Sequence, residues 1–481
     1  MRDSMTNENP TLYQVDPSMM NLTGEEVDVF NKLLAEWQRH LGSNIRNEAY
    51  YKGKVMPVTT DSSMPSDLVN LNIVMGWGGK CVDVLANRSV LEGFDGGSAD
   101  VFGSIIPTTT LTEIYEQAVT SELTDSCAFL TVSKGMPGEP DVIVSAHSAL
   151  DAAAIWDERK KRIKAGICVV DIDVDDGGRR VPTWVNMYTD EYTYSCRKVG
   201  DSWVAEKAAN PFGRPLMEPL RYRPSLTRPF GKSRINRTVR SLIDRALCVG
   251  ARTEIAATFY TWPQRYLLGV DKKTAEEMSK RKVEMYADSM LLVTPNKNGD
   301  TPQLGQLSQM TMQPHIDHLE MLGKQFASEA CIPLDEVGIV FDNPTSSEAM
   351  FAAQQRLIVE AEHVNRMNGI ALGNIARMAL GAVDAADFAT ADITPRFADV
   401  LRPSKAANAD FAIKVNSAVP AYSGTRQFWR DLGYSEPTID SILREVRYSQ
   451  IVQAAAQASA QAAQQQPTPQ PEGVDDADIG E

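Results

Sequence analysis

No stretch of this sequence approaches the ~20 consecutive apolar residues that a membrane-spanning helix requires. The polar N-terminal MRDSMTNENP has no apolar core of the kind a signal peptide carries. The chain is therefore expected to contact no membrane and to be made and used in cytoplasm-like surroundings. Cysteine is sparse too: Cys81, Cys127, Cys168, Cys196, Cys248 and Cys331 are scattered, with no CxxC pair and no regular spacing. Disulfide frameworks belong mainly to small secreted domains, so reduced, buried thiols are expected. Basic residues are outnumbered, 48 Lys and Arg against 63 Asp and Glu, for a net charge of −15. That deficit excludes a protein that coats nucleic acid with a uniformly basic surface. Any contact with DNA has to be local or weak.

Catalytic and cofactor motifs are missing as well. PSLTRPFGKSR ends like a phosphate-binding loop at Gly231-Lys232-Ser233, but Leu226 stands where the first glycine belongs and no hydrophobic strand precedes it. MGWGGKC fails in the same way, with Val74 for the first glycine and Cys81 for the magnesium-binding hydroxyl. His315 and His318, beside Asp317 and Glu320, are spaced to share a helix face, yet no HExxH accompanies them and only His40, His147 and His363 remain. There is no GxSxG nucleophile elbow. No catalytic residue, cofactor or metal site is assigned, and the chain is not expected to be an enzyme.

What is present begins with a helix over 22–51, where Val27, Phe30, Leu33, Leu34 and Trp37 recur at helical spacing behind Thr23, with Glu26 placed for a capping box. Further helices are expected over 70–90 and from near Thr110. Between Cys127 and Tyr222 the period changes to two, with Gly, Pro and Asp turn signals between the runs. This pattern predicts one curved antiparallel sheet with helices packed on it, an α+β domain. After Pro229 the pattern is mostly helical. Ile235, Val239, Leu242, Ile243, Ala246 and Leu247 make an apolar stripe, and Arg234, Arg237, Arg240, Arg245 and Arg252 lie largely off it. A small strand-helix-strand segment and a helix over 313–331 follow. From Ser346 to about Leu380 the spacing predicts a helix ~50 Å long, with Gly369 and Gly373 as possible kinks. Residues 392–402 read as a strand returning to the sheet. The Ala/Gln-rich end fades into a Pro-rich acidic tail too poor in apolar residues to pack.

The loop PLDEVGIVFDNPTSSEAM poses the functional question, because Asp335, Glu336, Asp342 and Asn343 suit a metal site, a catalytic carboxylate pair or a connector. It lacks the DxDxDG spacing and closing Glu of an EF-hand. Its carboxylates are expected on flexible backbone. Its exit is better specified: Thr345 caps the following helix and Glu348 reaches back.

Three stretches in this order, RPFGKSRINRTVRSLIDRALCVGARTEIAATFYTWPQRYLLG, then ASEACIPLDEVG, then NPTSSEAMFAAQQRLIVEAEHVNR, resemble the portal proteins of tailed bacteriophages, most of all those of phages infecting actinobacteria. The resemblance implies a head-to-tail connector: a ring, typically of twelve copies, at one capsid vertex, through which double-stranded DNA passes, held non-specifically and weakly. It implies a flexible N-terminus (1–21), an antiparallel-sheet wing (22–232), stem helices (233–260 and 313–331) and a small α/β clip (261–312). A tunnel loop (332–345), a long wing helix with its returning strand (346–402), a helical crown (403–452) and a low-complexity tail (453–481) complete it. Asp335, Glu336, Val340, Phe341, Asp342 and Asn343 would line the channel, with Arg252 and Lys324 as sparse stem guides. The implied partners are other copies of the chain, the terminase large subunit, the major capsid protein, a scaffold protein and head-tail adaptors, in the virion and, during assembly, the host cytoplasm. The rival expectations are a metal-dependent nuclease or phosphotransferase using the 335–342 carboxylates, or another ring-forming adaptor.

Overall fold

In the computed structural model, the first long helix, α1 (Gly24–Tyr51), opens on the reciprocal cap its spacing predicts. The Glu26 amide donates to the Thr23 hydroxyl (3.4 Å) and the Thr23 amide donates to the Glu26 carboxylate (2.9 Å). The structure describes residues 13–56, 73–135, 137–174, 180–261, 265–268, 303–306, 311–339, 347–401, 405–434 and 436–464. They fall into two compact units, Met1–Val400 and Leu401–Glu481. Val27, Phe30, Leu33, Leu34 and Trp37 are all buried, as their stripe requires.

In chain order the first unit continues with α2 (Trp77–Ala86), β1 (Leu91–Asp95), α3 (Ala99–Ile105), α4 (Thr108–Asp125), β2 (Cys127–Lys134), β3 (Val142–Ser148), β4 (Ala152–Asp157), β5 (Arg162–Val174), β6 (Arg180–Tyr188), β7 (Tyr192–Val199), β8 (Ser202–Ala209) and β9 (Met217–Arg221). Then come α5 (Arg237–Thr261), the hairpin β10 (Arg265–Leu268) and β11 (Gln303–Gln306), α6 (Gln313–Ala330), α7 (Ser347–Val383), α8 (Asp387–Thr390) and β12 (Thr394–Phe397). The second unit holds α9 (Lys405–Ala418), α10 (Arg426–Asp431) and α11 (Glu436–Gln464).

The expected single curved sheet is two sheets: a five-stranded antiparallel meander, β4-β5-β6-β7-β8, and a three-stranded one, β3-β2-β9. The break falls at the turn between β3 and β4. There the carbonyls of Ala149 and Leu150 accept from Asn44 Nδ2 (2.9 Å) and Trp37 Nε1 (2.7 Å) of α1. Side chains therefore satisfy the connector's backbone, and no strand pairing is needed to carry it across. Helix α1 covers one face of the meander, where Phe30 and Leu33 meet Ile167, Val185, Tyr194 and Trp203. The other face meets the small sheet in a core of Cys127, Phe129, Cys168, Tyr188 and Met217. Gly166 leaves room there for Met217, whose Sδ would lie 2.2 Å from an added Cβ. Cys81, Cys127, Cys168 and Cys196 are buried thiols, as expected, whereas Cys248 and Cys331 are only half-buried.

The largest core gathers α2, α4, α5, α6 and α7 over the three-stranded sheet. The strand expected to rejoin the main sheet, β12, pairs instead with β1 as a separate antiparallel ribbon. Proline at 395 removes one ladder donor, which suits a two-stranded edge better than a sheet interior. Helix α7 runs as one element from Ser347 to Val383. Gly369 and Gly373 lie where Pro395 and Phe397 pass over it, within 4 Å of any added Cβ.

A polar network is sealed beneath α7. Ser89 Oγ donates to Asn365 Oδ1 (2.6 Å), so the 2.6 Å contact between Ser89 and Tyr115 has the Tyr115 hydroxyl as donor. Asn368 Nδ2 then donates to Tyr115 (3.2 Å) and to Glu122 Oε2 (2.6 Å), while Glu122 Oε1 has no partner among the described residues. Burial, against the Asn368 hydrogen bond, pushes the Glu122 carboxyl up to about 8. A carboxyl raised in this way contributes stability that is complete below its ordinary value near 4.5 and is lost as pH climbs through about 8. Glu122→Gln should therefore raise the melting temperature relative to the native chain by several degrees at pH 8.5 and by little at pH 5, in thermal unfolding monitored by circular dichroism.

Candidate functional site

The helices expected over 233–260 and 313–331 are α5 and α6, which pack side by side through Leu242, Leu247, Leu322 and Phe326. Helix α6 stops at Cys331, which takes the left-handed conformation (φ 53°). The chain then enters the loop whose carboxylates raised the question of function. Its first half is not a flexible strand of carboxylates. Leu334–Val337 form a 3-10 turn closed by Gly338 (φ 81°), and Leu334 and Val337 pack against the main core. Ile339 presses on Gly323 of α6, where an added Cβ would lie 2.9 Å from the Ile339 Cδ1. Beneath it Trp77 of α2 stacks on Phe326, with ring centroids 4.9 Å apart. Glu336 is committed to Lys80 of α2 at 3.1 Å. Asp335 and Glu336 thus belong to an anchored base. Val340, Phe341, Asp342, Asn343 and Thr345 lie outside the described residues, and so does the side chain of Glu348 in the first turn of α7, so the expected cap is not described.

Arg234, one of the arginines expected to lie largely off the apolar stripe, organises this base. Arg234 is buried (6% exposed). Its Nε donates to the Cys81 carbonyl of α2 (2.5 Å), its Nη2 to the Ala330 carbonyl at the end of α6, and its Nη1 to the Tyr222 hydroxyl (3.1 Å). Tyr222 in turn donates to Glu360 of α7 (2.5 Å), and Arg223 forks onto the same carboxylate through Nε (2.6 Å) and Nη2. Burial alone would raise the Glu360 carboxyl, but the Arg223 and Tyr222 hydrogen bonds outweigh it and hold it below its ordinary value. A guanidinium at the carbonyl end of α6 also meets the negative end of that helix. Four elements leading to and from the loop are thereby tied to one planar cation. No sequence spacing flags this, because the partners lie 12 to 153 residues away along the chain.

The stretch that resembled a phosphate-binding loop serves the same junction. Gly231 (φ 79°) approaches the Tyr222 carbonyl so closely that a Cβ would sit 2.2 Å from it. The Lys232 amide donates to that carbonyl (2.9 Å). Ser233 Oγ donates to the Thr124 carbonyl (2.5 Å) and accepts from the Ile235 amide (2.9 Å). These groups close a turn ahead of α5 and are spent on the protein's own backbone.

The outer face of the stem carries Arg237, Arg245 and Arg252 on α5, all exposed, and Lys324 on α6. Arg237 and Arg245 border a groove with Thr238, Ser241, Lys324 and Gln325. They have no ion-pair partner among the described residues, whereas Lys324 pairs with Glu320 at 2.7 Å. Of the two cations expected as guides, Arg252 and Lys324, the latter is thus engaged with a carboxylate. His315 and His318 are on α6, and among the described residues no group of three or more His, Cys, Asp or Glu could hold a metal ion. Likewise no described helix is long and apolar enough to cross a membrane. Replacing Arg234 with Met should cost roughly 3–5 kcal/mol of stability, because it leaves the buried Cys81 and Ala330 carbonyls and the Tyr222 hydroxyl oxygen without their donor. Arg245→Ala should change stability by no more than about 0.5 kcal/mol in the same chemical-denaturation measurement.

Known proteins share this arrangement of sequence over most of its length. A family model described as "Phage portal protein, SPP1 Gp6-like" matches residues 31–429. The portal protein of Mycobacterium phage D29 is 24% identical over 411 residues, covering 82% of this chain and 83% of that protein. The portal protein of Mycobacterium phage L5 is 25% identical over 412 residues, covering 81% and 82%. Among solved structures, a chain from the virion of a native gene transfer agent particle aligns with a TM-score of 0.43 at 14% identity, over 79% of this chain and 95% of that one. A chain from the neck of an empty particle of the same kind aligns with a TM-score of 0.43 at 14% identity, over 74% and 90%. Matched by that model from the first long helix to α10, the chain belongs to the phage portal protein family of the SPP1 Gp6-like type.

Proposed function

We propose that copies of this chain, twelve by the family's habit, close into a ring at one vertex of a phage capsid and form the channel through which double-stranded DNA enters and leaves. The observation that carries this reading is the family match across residues 31–429. In this reading the meander and α1 are the wing and α5 and α6 the stem. The segment 261–312, with its β10–β11 hairpin, is the clip that meets the terminase large subunit and later the head-tail adaptors, and the second unit is the crown. The major capsid protein and a scaffold protein contact the ring from outside. Assembly takes place in the host cytoplasm, and the finished ring is part of the virion.

The protein performs no catalytic step in this scheme, and a separate ATPase supplies the energy of translocation. The physical chemistry is consistent with a conduit. Each neutralised phosphate adds salt-dependent affinity, so a tightly gripping channel would stall its DNA. Residues 333–348 hold four acidic and no basic side chains, and ring symmetry would repeat them as a repulsive collar. Arg252 and Lys324, joined by Arg237 and Arg245, would supply sparse attraction. A metal-dependent nuclease has no comparable support: Glu336 is paired with Lys80 and Asp335 is part of a packed turn.

The assembled protein should have a native mass of about 0.6 MDa, twelve times 52.9 kDa, and negative-stain images should show a central hole; a stable monomer would falsify the ring. Because Glu336 to Ile339 belong to the packed base, the informative deletion is 340–343. Rings should form normally from that variant while packaged DNA per particle falls. Loss of assembly would instead move the loop to the contact between copies.

A further inference from the structure

Between α1, the end of α4 and the turn that precedes α5 lies a cavity of about 670 Å³, within the range of small-molecule sites, roughly 300–1,000 Å³. Its least exposed charged group is Asp125, the last residue of α4, which is 4% exposed. Among the described residues Asp125 Oδ1 has no hydrogen-bond partner. Burial first, then repulsion from Glu48 and Asp151, pushes this carboxyl up to about 8. The carbonyl end of α4 opposes a negative charge there as well. A buried polar atom left without a partner costs stability. Such a group lining a cavity is suited to a ligand better than to the fold.

The exposed lining of the same cavity has the opposite character. Arg228, Lys232, Arg237 and Arg240 gather there in a chain of net charge −15. Arg228, Lys232 and Arg237 are exposed and have no ion-pair partner among the described residues. Glu36, the other acid of the lining, is taken up by Arg39 at 2.6 Å. Arg240 is held in place, because its Nη1 donates to Asn47 Oδ1 (2.7 Å) and to the Ile235 carbonyl (2.8 Å). The backbone of the turn at 231–233 is spent on the protein, but the Lys232 side chain is not. The positive end of α5 adds to this field. The remaining walls are largely apolar, with Phe129, Pro229, Phe230 and the alanines at 152, 153 and 154.

These features select the occupant by its chemistry. Unpaired cations ask for an anionic group, apolar walls for a flat or apolar body, and the unpartnered carboxyl for a hydrogen-bonding edge. A phosphate ion answers only the first demand. A metal ion answers none, since the cations repel it and among the described residues no group of three or more His, Cys, Asp or Glu could hold one. Duplex DNA is a poor fit, because its base edges are stacked and paired. We propose that this cavity binds a nucleoside monophosphate, with the phosphate at Arg228, Lys232 and Arg240 and a donor on the base edge at Asp125 Oδ1. Every residue of the site comes from one copy of the chain, so the site stands or falls apart from the ring.

The test is isothermal titration calorimetry of the full chain with dAMP and dGMP at low salt, beside inorganic phosphate and the matching nucleosides. One of the two nucleotides should bind with a Kd below about 1 mM, and at least about tenfold more tightly than phosphate or its nucleoside, each of which keeps a single anchor. Asp125→Leu should weaken that binding at least about tenfold, with a melting temperature no lower than the native one because an unpartnered buried group is gone. The double variant Arg228→Ala, Lys232→Ala changes only exposed side chains, and it should weaken binding by a similar factor and flatten its salt dependence. No heat with either nucleotide up to about 5 mM, an equal affinity for inorganic phosphate, or native affinity in either variant would overturn the site. Displacement of the nucleotide by a 5′-phosphorylated oligonucleotide at a matched concentration of ends would overturn the free nucleotide in favour of a strand end.

Discussion

The buried guanidinium of Arg234 is the interaction on which the functional half of this protein depends. It is held by a carbonyl of α2, the last carbonyl of α6 and the hydroxyl of Tyr222, which passes the interaction on to Glu360 of α7. A buried cation is tolerable only when its donors are satisfied and an anion is close, and the Glu360 carboxylate with its second partner, Arg223, meets the latter requirement. One planar group therefore ties the C-terminal end of α6 to the long helix α7. The loop between them starts on this clamp.

That clamp gives the loop a rigid root. The packing of Leu334 and Val337 from the 3-10 turn and the contact of Ile339 with Gly323 hold its first residues against the core. Packed apolar contacts and a multiply bonded arginine resist displacement better than exposed ion pairs, which contribute little.

The polar groups of the interior are unevenly satisfied, and the unevenness has consequences. Around Arg234 nearly every donor finds an acceptor, so the junction is rigid. Under α7 the Glu122 carboxyl has one hydrogen bond from Asn368 and an oxygen with none among the described residues, so it keeps its proton well above the ordinary carboxylate range.

Local physics made much of this legible from the residues alone. The stripe from Val27 to Trp37 with its Thr23–Glu26 cap, the period-two runs from Cys127 onward, helices α5 and α6 and the long helix after Pro344 all depend on neighbours within a few residues, and periodicity reports those directly. The failure of Gly231-Lys232-Ser233 as a phosphate loop was legible for the same reason. Tertiary contact decided the rest. Whether β3 continues into β4 as one sheet depended on α1 reaching the carbonyls of Ala149 and Leu150 from more than a hundred residues away. Pairing of β12 with β1 joined segments some three hundred residues apart. Arg234 looked like one more arginine off an apolar stripe, because a side chain's burial is set by what the folded chain brings over it, and spacing along the sequence carries no record of that.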